Sequence, residues 1–250
     1  MAPIIQVFGF SVQAGPLATL VGFVAGLWLS SRLAALRRLD GGAINDAGFY
    51  GAIAGLIAAR AGYVVVHWPA YAAEPLSALM PGLTALLPWT GWPVGLAVAG
   101  WIAWRKGLLR ADLLDVLAPG IALMGMGLAG AALLNGERLG QPTTLPWAVM
   151  IWGENRHPVP VYELAALAVI ALGCVRLLGR DLPAGAVGLS ALAAYAFARV
   201  VIDGFRADAL VLAGLRVTQM AGVVVCATAL WMLGELPHSH APDIERDAGD

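Results

Sequence analysis

Charged side chains are scarce in this chain, where Asp, Glu, Lys and Arg together make up 12% of the 250 residues. Soluble domains carry about 25%. The hydrophobic fraction is 60%, and the mean hydropathy is +0.77. The net charge of −1 gives no indication of a nucleic-acid partner. This composition excludes an ordinary soluble domain and is typical of a polytopic membrane protein.

Cysteine and histidine are also rare. Cys174 and Cys226 lie inside apolar stretches, so we interpret them as packing residues rather than as a disulfide or metal pair. The four histidines are scattered and have no metal-ligand spacing. We therefore predict neither a metal site nor a cofactor. The first residues lack the basic segment of a cleavable signal peptide.

Most of the sequence consists of long apolar runs. A spanning helix needs about 20 mostly apolar residues. Seven stretches meet this length, roughly 13–31, 47–68, 86–104, 113–134, 159–178, 184–205 and 213–234. They predict an all-α, seven-helix transmembrane domain over residues 1–236 and a polar, disordered cytoplasmic tail over 237–250. Asp46 is the predicted N-cap of the second span.

Two stretches between spans, 69–92 and 141–155, are rich in Pro and Trp. Tryptophan is enriched where a membrane meets water. We therefore predict that both stretches are interfacial arms rather than spans.

Basic residues are unevenly divided between the predicted loops, which indicates the orientation of the chain. The loops after spans one, three and five and the tail carry nine: Arg32, Arg37, Arg38, Arg105, Lys106, Arg110, Arg176, Arg180 and Arg246. The other loops carry four: Arg138, Arg156, Arg206 and Arg216. Because the richer side faces the cytoplasm, we predict that the N-terminus lies outside and the C-terminus inside.

A polar cluster interrupts this apolar background on the predicted outer side. It begins with Asn135–Gly140 and continues through Arg156–Pro158 and Tyr162-Glu163. Tyr195, Arg199 and Asp203 follow at i, i+4 and i+8, so they share one helix face. An ionisable group at bilayer depth costs about 2.5–3.5 kcal/mol on insertion scales. These groups must therefore pair with one another, face water or bind a polar ligand.

The order of these motifs resembles the prolipoprotein diacylglyceryl transferase family. The matching patterns are Asn135-Gly136-Glu137-x-x-Gly140, Arg156-His157-Pro158-x-x-x-Tyr162-Glu163 and Tyr195-x-x-x-Arg199-x-x-x-Asp203-x-x-Arg206. Further agreement comes from Gly55-x-x-x-Ala59-Arg60-x-Gly62-Tyr63 and from Leu215–Gln219. The resemblance covers about residues 15–235 and has the same seven-span layout.

The resemblance implies a reaction. A member of this family moves a diacylglyceryl group from phosphatidylglycerol to the lipobox cysteine thiol of a preprolipoprotein, and glycerol-1-phosphate leaves. The chemistry takes place at the outer face of the bacterial inner membrane. The implied partners are phosphatidylglycerol, the preprolipoprotein signal peptide and membrane lipids, and no nucleic acid.

Site residues follow from the matched motifs and from this chemistry. Guanidinium groups clamp phosphate oxygens bidentately, and a thiol must become a thiolate before it attacks. The candidate catalytic residues are Arg199, Glu137, Asp203 and His157. The candidates for the base are Glu137, His157 and Glu163. The candidate substrate-binding residues are Asn135, Gly136, Gly140, Arg156, Tyr162, Glu163, Tyr195, Arg206 and Arg60.

The chain departs from the family pattern at several positions. Ala129 and Ala132 stand where the family has arginine and asparagine, and Asp203 stands where glutamate is usual. The segment 91–96, which corresponds to a His-Gly-Gly motif of the family, has no histidine. A second hypothesis is therefore a diverged paralogue that binds phospholipid or a partner protein without catalysis. A transporter is a third hypothesis, although the chain lacks inverted repeats.

Structural roles compete with functional ones at single positions. Arg199 and Asp203 can form a buried ion pair that locks their helix to a neighbour. Arg60 can be structural in the same way. Asn135-Gly136 can be a turn that caps span four, and His157 can set the entry to span five.

Overall fold

The computed structural model describes residues 4–7, 10–72, 75–79, 85–138, 140–151, 153–207, 211–212 and 215–237. Their eight α-helices are α1 (Ala14–Leu33), α2 (Gly41–Val66), α3 (Trp68–Tyr71), α4 (Pro88–Arg105), α5 (Ala111–Asn135), α6 (Val159–Leu178), α7 (Ala186–Ile202) and α8 (Val217–Gly234). Three antiparallel strand pairs accompany them: β1 (Ile4–Val7) with β2 (Phe10–Gln13), β3 (Val149–Ile151) with β4 (Glu154–Arg156), and β5 (Val211–Leu212) with β6 (Leu215–Arg216). The tail predicted to be disordered lies, after Pro237, outside the described residues.

Six helices in the described part of the chain are long and apolar enough to cross a membrane. They are α1, α2, α5, α6, α7 and α8. The prediction of an all-α polytopic membrane protein is therefore confirmed. The third predicted span is also a helix, α4, but it is less apolar than these six. Its first turns contain Pro88, Trp89, Trp92 and Pro93, which lower its hydropathy.

The start of α2 corrects one prediction. Asp40, not Asp46, is the N-cap, because its side chain accepts hydrogen bonds from the backbone N–H groups of Gly42 at 2.8 Å and Ala43 at 3.2 Å. These are two of the N–H groups that a helix start leaves without an intrahelical acceptor. Asp46 instead lies inside the helix, in its second turn.

The two stretches predicted as interfacial arms are irregular and carry short elements. The first contains α3 and a 3₁₀ helix over Pro75–Leu79, with residues 73–74 and 80–84 outside the described part. The second contains the β3–β4 hairpin. Their depth relative to a membrane stays a prediction. Both cysteines are free thiols, and Cys174 is buried in the core as expected of a packing residue.

Helix α5 is the central element and packs against α1, α6 and α7. Its contact with α1 is made by small residues: Gly22 faces Gly127, and Gly26 faces Gly120. Glycine allows two helix backbones to touch, which is the usual way that spanning helices associate closely. Helices α2 and α4 form a second close pair, and α8 packs on α7.

Substituting Gly22 tests the contact between α1 and α5. A Cβ atom at this position would lie 2.6 Å from Gly127 Cα. We expect Gly22→Ala to lower the free energy of unfolding by about 1–3 kcal/mol, since overpacking forces the backbones apart. Gly100→Ala is the matched control, because the position is helical and has open space around it. Equal unfolding midpoints for the two variants in detergent would contradict this packing.

A buried ion pair closes the end of the bundle where α1 ends and where α5 and α7 begin. Asp115 is fully buried, and its two carboxylate oxygens accept hydrogen bonds from the Gly185 N–H at 3.0 Å and the Gly188 N–H at 2.9 Å. Arg37 Nη2 lies 3.4 Å from Asp115 Oδ2, and Arg37 Nη1 donates to the Leu182 carbonyl at 3.0 Å. The sequence analysis did not single out this pair, which joins three helices.

Candidate functional site

The polar site lies at the opposite end of the bundle and begins where α5 ends. Gly136 has a φ of +68° and terminates α5. The Gly136 N–H donates to Leu133 O at 3.3 Å and the Glu137 N–H to Ala132 O at 2.9 Å, which is a Schellman cap. The proposed capping role of Asn135-Gly136 is therefore confirmed. The Asn135 amide also donates to Glu137 Oε1 at 3.0 Å.

Arg138 follows this cap and has a φ of +58°, a left-handed conformation that non-glycine residues seldom adopt. Two left-handed residues within three positions turn the chain sharply after α5. As a result the Arg138 side chain reaches α6, where its Nη1 donates to Glu163 Oε2 in an ion pair.

Glu163 and Asp203 hold Arg199 between them. Arg199 Nη1 donates to Glu163 Oε1 at 2.6 Å, and Arg199 Nη2 lies 2.9 Å from Asp203 Oδ1. Both carboxylates are buried, Glu163 at 5% and Asp203 at 0% exposure. The ion pair suggested by the i, i+4 spacing is confirmed. Removing one member of such a buried pair leaves the other charge without compensation, so the network is strongly coupled.

Asp203 is the first residue of a 3₁₀ turn that follows α7, and two further arginines lie near it. Arg206 Nη1 is 3.8 Å from Asp203 Oδ1. Arg216, at the start of α8, donates through Nη1 to the Asp203 backbone carbonyl. The turn is thereby attached to both neighbouring segments.

A small cavity of about 70 Å³ opens beside Glu163 and Arg199. It lies between α5, α6 and α7, and its polar lining residues are Arg138, Glu163, Tyr195 and Arg199. The remaining walls are apolar or small: Gly125, Leu128, Ala166, Leu167, Ala198 and Ile202. The lining thus combines two guanidinium groups and a carboxylate with apolar side chains.

A second polar group surrounds His157. Its Nδ1 is 3.1 Å from the Tyr162 hydroxyl, which also accepts a hydrogen bond from Trp147 Nε1 at 2.8 Å. The His157 ring lies 4.9 Å from that of Phe205, between centroids. Gly140 passes close beneath His157, since a Cβ at Gly140 would lie 2.7 Å from His157 Cβ.

The chain is similar to known proteins over most of its length. The family model "Prolipoprotein diacylglyceryl transferase" matches residues 3–234. The phosphatidylglycerol–prolipoprotein diacylglyceryl transferase of Gloeobacter violaceus is 32% identical, over 92% of this chain and 91% of its own length. The enzyme of the same name from Synechococcus elongatus is 33% identical, over 89% of this chain and 83% of its own length.

The chain belongs to the prolipoprotein diacylglyceryl transferase family. Of the predicted residues, Glu163, Tyr195 and Arg199 line the cavity. Asp203 contacts Arg199 from behind this lining, and Arg206 lies near Asp203. His157 and Tyr162 form the neighbouring group, with Gly140 packed against them. The roles assigned to these residues remain predictions.

Three other predicted residues lie apart from the cavity. Arg60 donates to the backbone carbonyls of Ala85 at 3.2 Å and Ser77 at 3.5 Å, and its guanidinium lies over the Tyr71 ring. It thus ties α2 to the first arm, which is a structural contact. Arg156 donates to Gly140 O at 3.1 Å and to Glu154 Oε2 at 2.5 Å. Glu137 is exposed and accepts a hydrogen bond from the Asn135 amide.

Arg138 lines the cavity but is not among the site residues predicted from the sequence. Helical spacing did not reveal it, because Arg138 lies beyond α5 in an irregular turn. The available signal was its place directly after the Asn135-Gly136 cap. A glycine in a left-handed cap reverses the chain, and this brings the residues that follow back toward the bundle.

Proposed function

We propose that this protein transfers a diacylglyceryl group from phosphatidylglycerol to the lipobox cysteine thiol of a preprolipoprotein, at the outer face of the bacterial inner membrane. One observation carries the proposal: Arg199, held by Glu163 and Asp203, lines a cavity that has both charged and apolar walls. The relatives bearing the name of this activity match most of the chain and support the same conclusion.

The reaction makes a thioether bond between the cysteine sulfur and the terminal glycerol carbon, and it breaks the bond from that carbon to the phosphate oxygen. Glycerol-1-phosphate leaves with the bonding electrons, so negative charge grows on the leaving phosphate. Arg199 can stabilise this charge through its guanidinium fork. Both oxygens of Glu163 already contact arginines. This leaves His157 and Glu137 as the candidate bases for the thiol proton.

We further propose seven membrane crossings, with α4 as the third. Support comes from the antiparallel packing of α2 and α4: Gly51 near the start of α2 lies against Ala99, and Gly62 near its end lies against Thr90. Helix α4 therefore returns the chain to the end where α5 begins. That end carries Arg37 and belongs to the side rich in basic residues, so the rule for positive charge assigns it to the cytoplasm. The site then faces outward.

A non-catalytic phospholipid-binding protein is the second candidate. The observation in its favour is that Ala129 and Ala132 are buried, at 0% and 2% exposure, on the last turns of α5. The polar side chains that the family has at these two positions are therefore missing from the described core. This candidate predicts phospholipid retention without transfer.

An in vitro transfer assay separates the two candidates. Purified protein in phosphatidylglycerol vesicles is mixed with a lipobox peptide, and mass spectrometry measures the peptide. We expect a diacylglyceryl mass addition on the cysteine, and no addition when serine replaces that cysteine. A peptide that stays unmodified with every phospholipid donor would overturn the proposal. Retained phosphatidylglycerol in that case would support the second candidate.

A further inference from the structure

We propose that Arg138 is a second phosphate-binding residue of the site and acts together with Arg199. This inference rests on the proposed function, because it assumes that the anion bound at the cavity is the phosphate of a glycerophospholipid. Arg138 belongs to neither set of residues that the sequence analysis assigned to the site.

The first observation is the convergence of two arginines on one carboxylate. Arg138 Nη1 contacts Glu163 Oε2, and Arg199 Nη1 contacts Glu163 Oε1 at 2.6 Å. Each guanidinium group therefore places one nitrogen beside the same carboxylate. A phosphodiester presents two non-bridging oxygens that are similarly close together. Two arginines that converge on one carboxylate can likewise converge on one phosphate, with Glu163 holding them in position.

The second observation is where the arginines lie. Arg138 and Arg199 both line the cavity. Arg156 and Arg60 instead bond to backbone carbonyls or to Glu154, and Arg216 bonds to the Asp203 backbone. The Arg138 side chain is 31% exposed, whereas its partner Glu163 is buried. Part of the guanidinium is thus accessible to a ligand that enters from the membrane interface.

The third observation is the backbone of Arg138. Its φ of +58° is unfavourable for a side chain larger than glycine. Glycine would relieve this conformation, yet the position carries a long cationic side chain. The conformation points the guanidinium back to Glu163, across the gap between the end of α5 and the start of α6. The turn after α5 thus supplies a positive charge beside the cavity, where the α5 side chains supply none.

Kinetics of an Arg138 series test the proposal. Transfer is measured against phosphatidylglycerol concentration in mixed micelles for the wild type, Arg138→Gln and Arg138→Lys. We expect Arg138→Gln to raise the KM for phosphatidylglycerol about 10-fold or more, as loss of a charge-assisted contact requires. Arg138→Lys should raise the KM less, because lysine keeps the positive charge but lacks the paired N–H groups of the guanidinium. Arg110→Gln is the matched control, since Arg110 pairs with Asp112 at the far end of the bundle.

A second measurement separates this inference from the proposed function. Phosphatidylglycerol retained by each purified variant is extracted and counted against retained diacylglycerol, which has no phosphate. We expect Arg138→Gln to lose phosphatidylglycerol selectively, and its unfolding midpoint should stay above that of Arg199→Gln, because Glu163 keeps Arg199 as a partner. A KM and a retention within twofold of the wild type would overturn the role of Arg138 while leaving the transferase in place. Equal loss of both lipids would indicate a structural role and also overturn it. If the wild type transfers nothing, the proposed function fails and retention alone decides on Arg138.

Discussion

Arg199→Gln is expected to reduce diacylglyceryl transfer by at least about 100-fold, because a charge-stabilising donor at a reacting phosphate contributes roughly this much. Arg199 is the residue that contacts both buried carboxylates and also lines the cavity. Glutamine keeps a hydrogen-bond donor on a shorter side chain, but it removes the positive charge and the paired N–H groups of the guanidinium. The rate is measured in phosphatidylglycerol vesicles, per mole of folded protein.

Controls for this variant must separate chemistry from folding. Removing Arg199 leaves Glu163 with Arg138 and leaves Asp203 with Arg206 at 3.8 Å, so some destabilisation is expected as well. Arg199→Lys preserves the charge but cannot bridge both carboxylates, and its rate should lie between those of the wild type and Arg199→Gln. The assignment fails if Arg199→Gln retains more than a tenth of the wild-type rate.

Asp115→Ala is expected to lower the free energy of unfolding by about 3–5 kcal/mol, the usual cost of breaking a buried ion pair. The substitution removes the acceptor for the Gly185 and Gly188 N–H groups and leaves Arg37 buried without its carboxylate. Because these groups join α1, α5 and α7, the loss should lower the unfolding midpoint of the whole bundle. Thermal unfolding in detergent measures the change.

Asp112→Ala is the matched control for Asp115→Ala. Asp112 lies one turn earlier on α5, and its partner Arg110 is 57% exposed. The Asp112 side chain is only 12% exposed, but a pair with one exposed partner contributes less than a fully buried pair, so the loss of stability should be smaller than for Asp115→Ala. Similar midpoints for the two variants would show that burial of Asp115 does not matter. Neither substitution lies near the cavity, so the KM for phosphatidylglycerol should not change in either.

Local patterns in the sequence were sufficient for the helices and for one contact of the site. Long apolar runs predict spanning helices because each must satisfy its own backbone hydrogen bonds inside a membrane. The i, i+4 spacing predicts that Arg199 and Asp203 meet, since neighbours on one helix face are set by helix geometry alone. The start of α2 was missed by six residues, because Asp40 is followed by two glycines that do not resemble a helix.

Contacts between distant segments required the folded chain. The structure brings two arginines to Glu163, one of them from a left-handed turn that no helical periodicity describes. Arg60 was grouped with the site but contacts the first arm instead. The family, the apolar helices and the polar motifs could thus be predicted from the sequence, because each depends on patterns among residues that are close together in the chain. Which arginine faces the cavity and which holds a loop depended on how α5, α6 and α7 pack, since side chains far apart in sequence meet only after the helices associate.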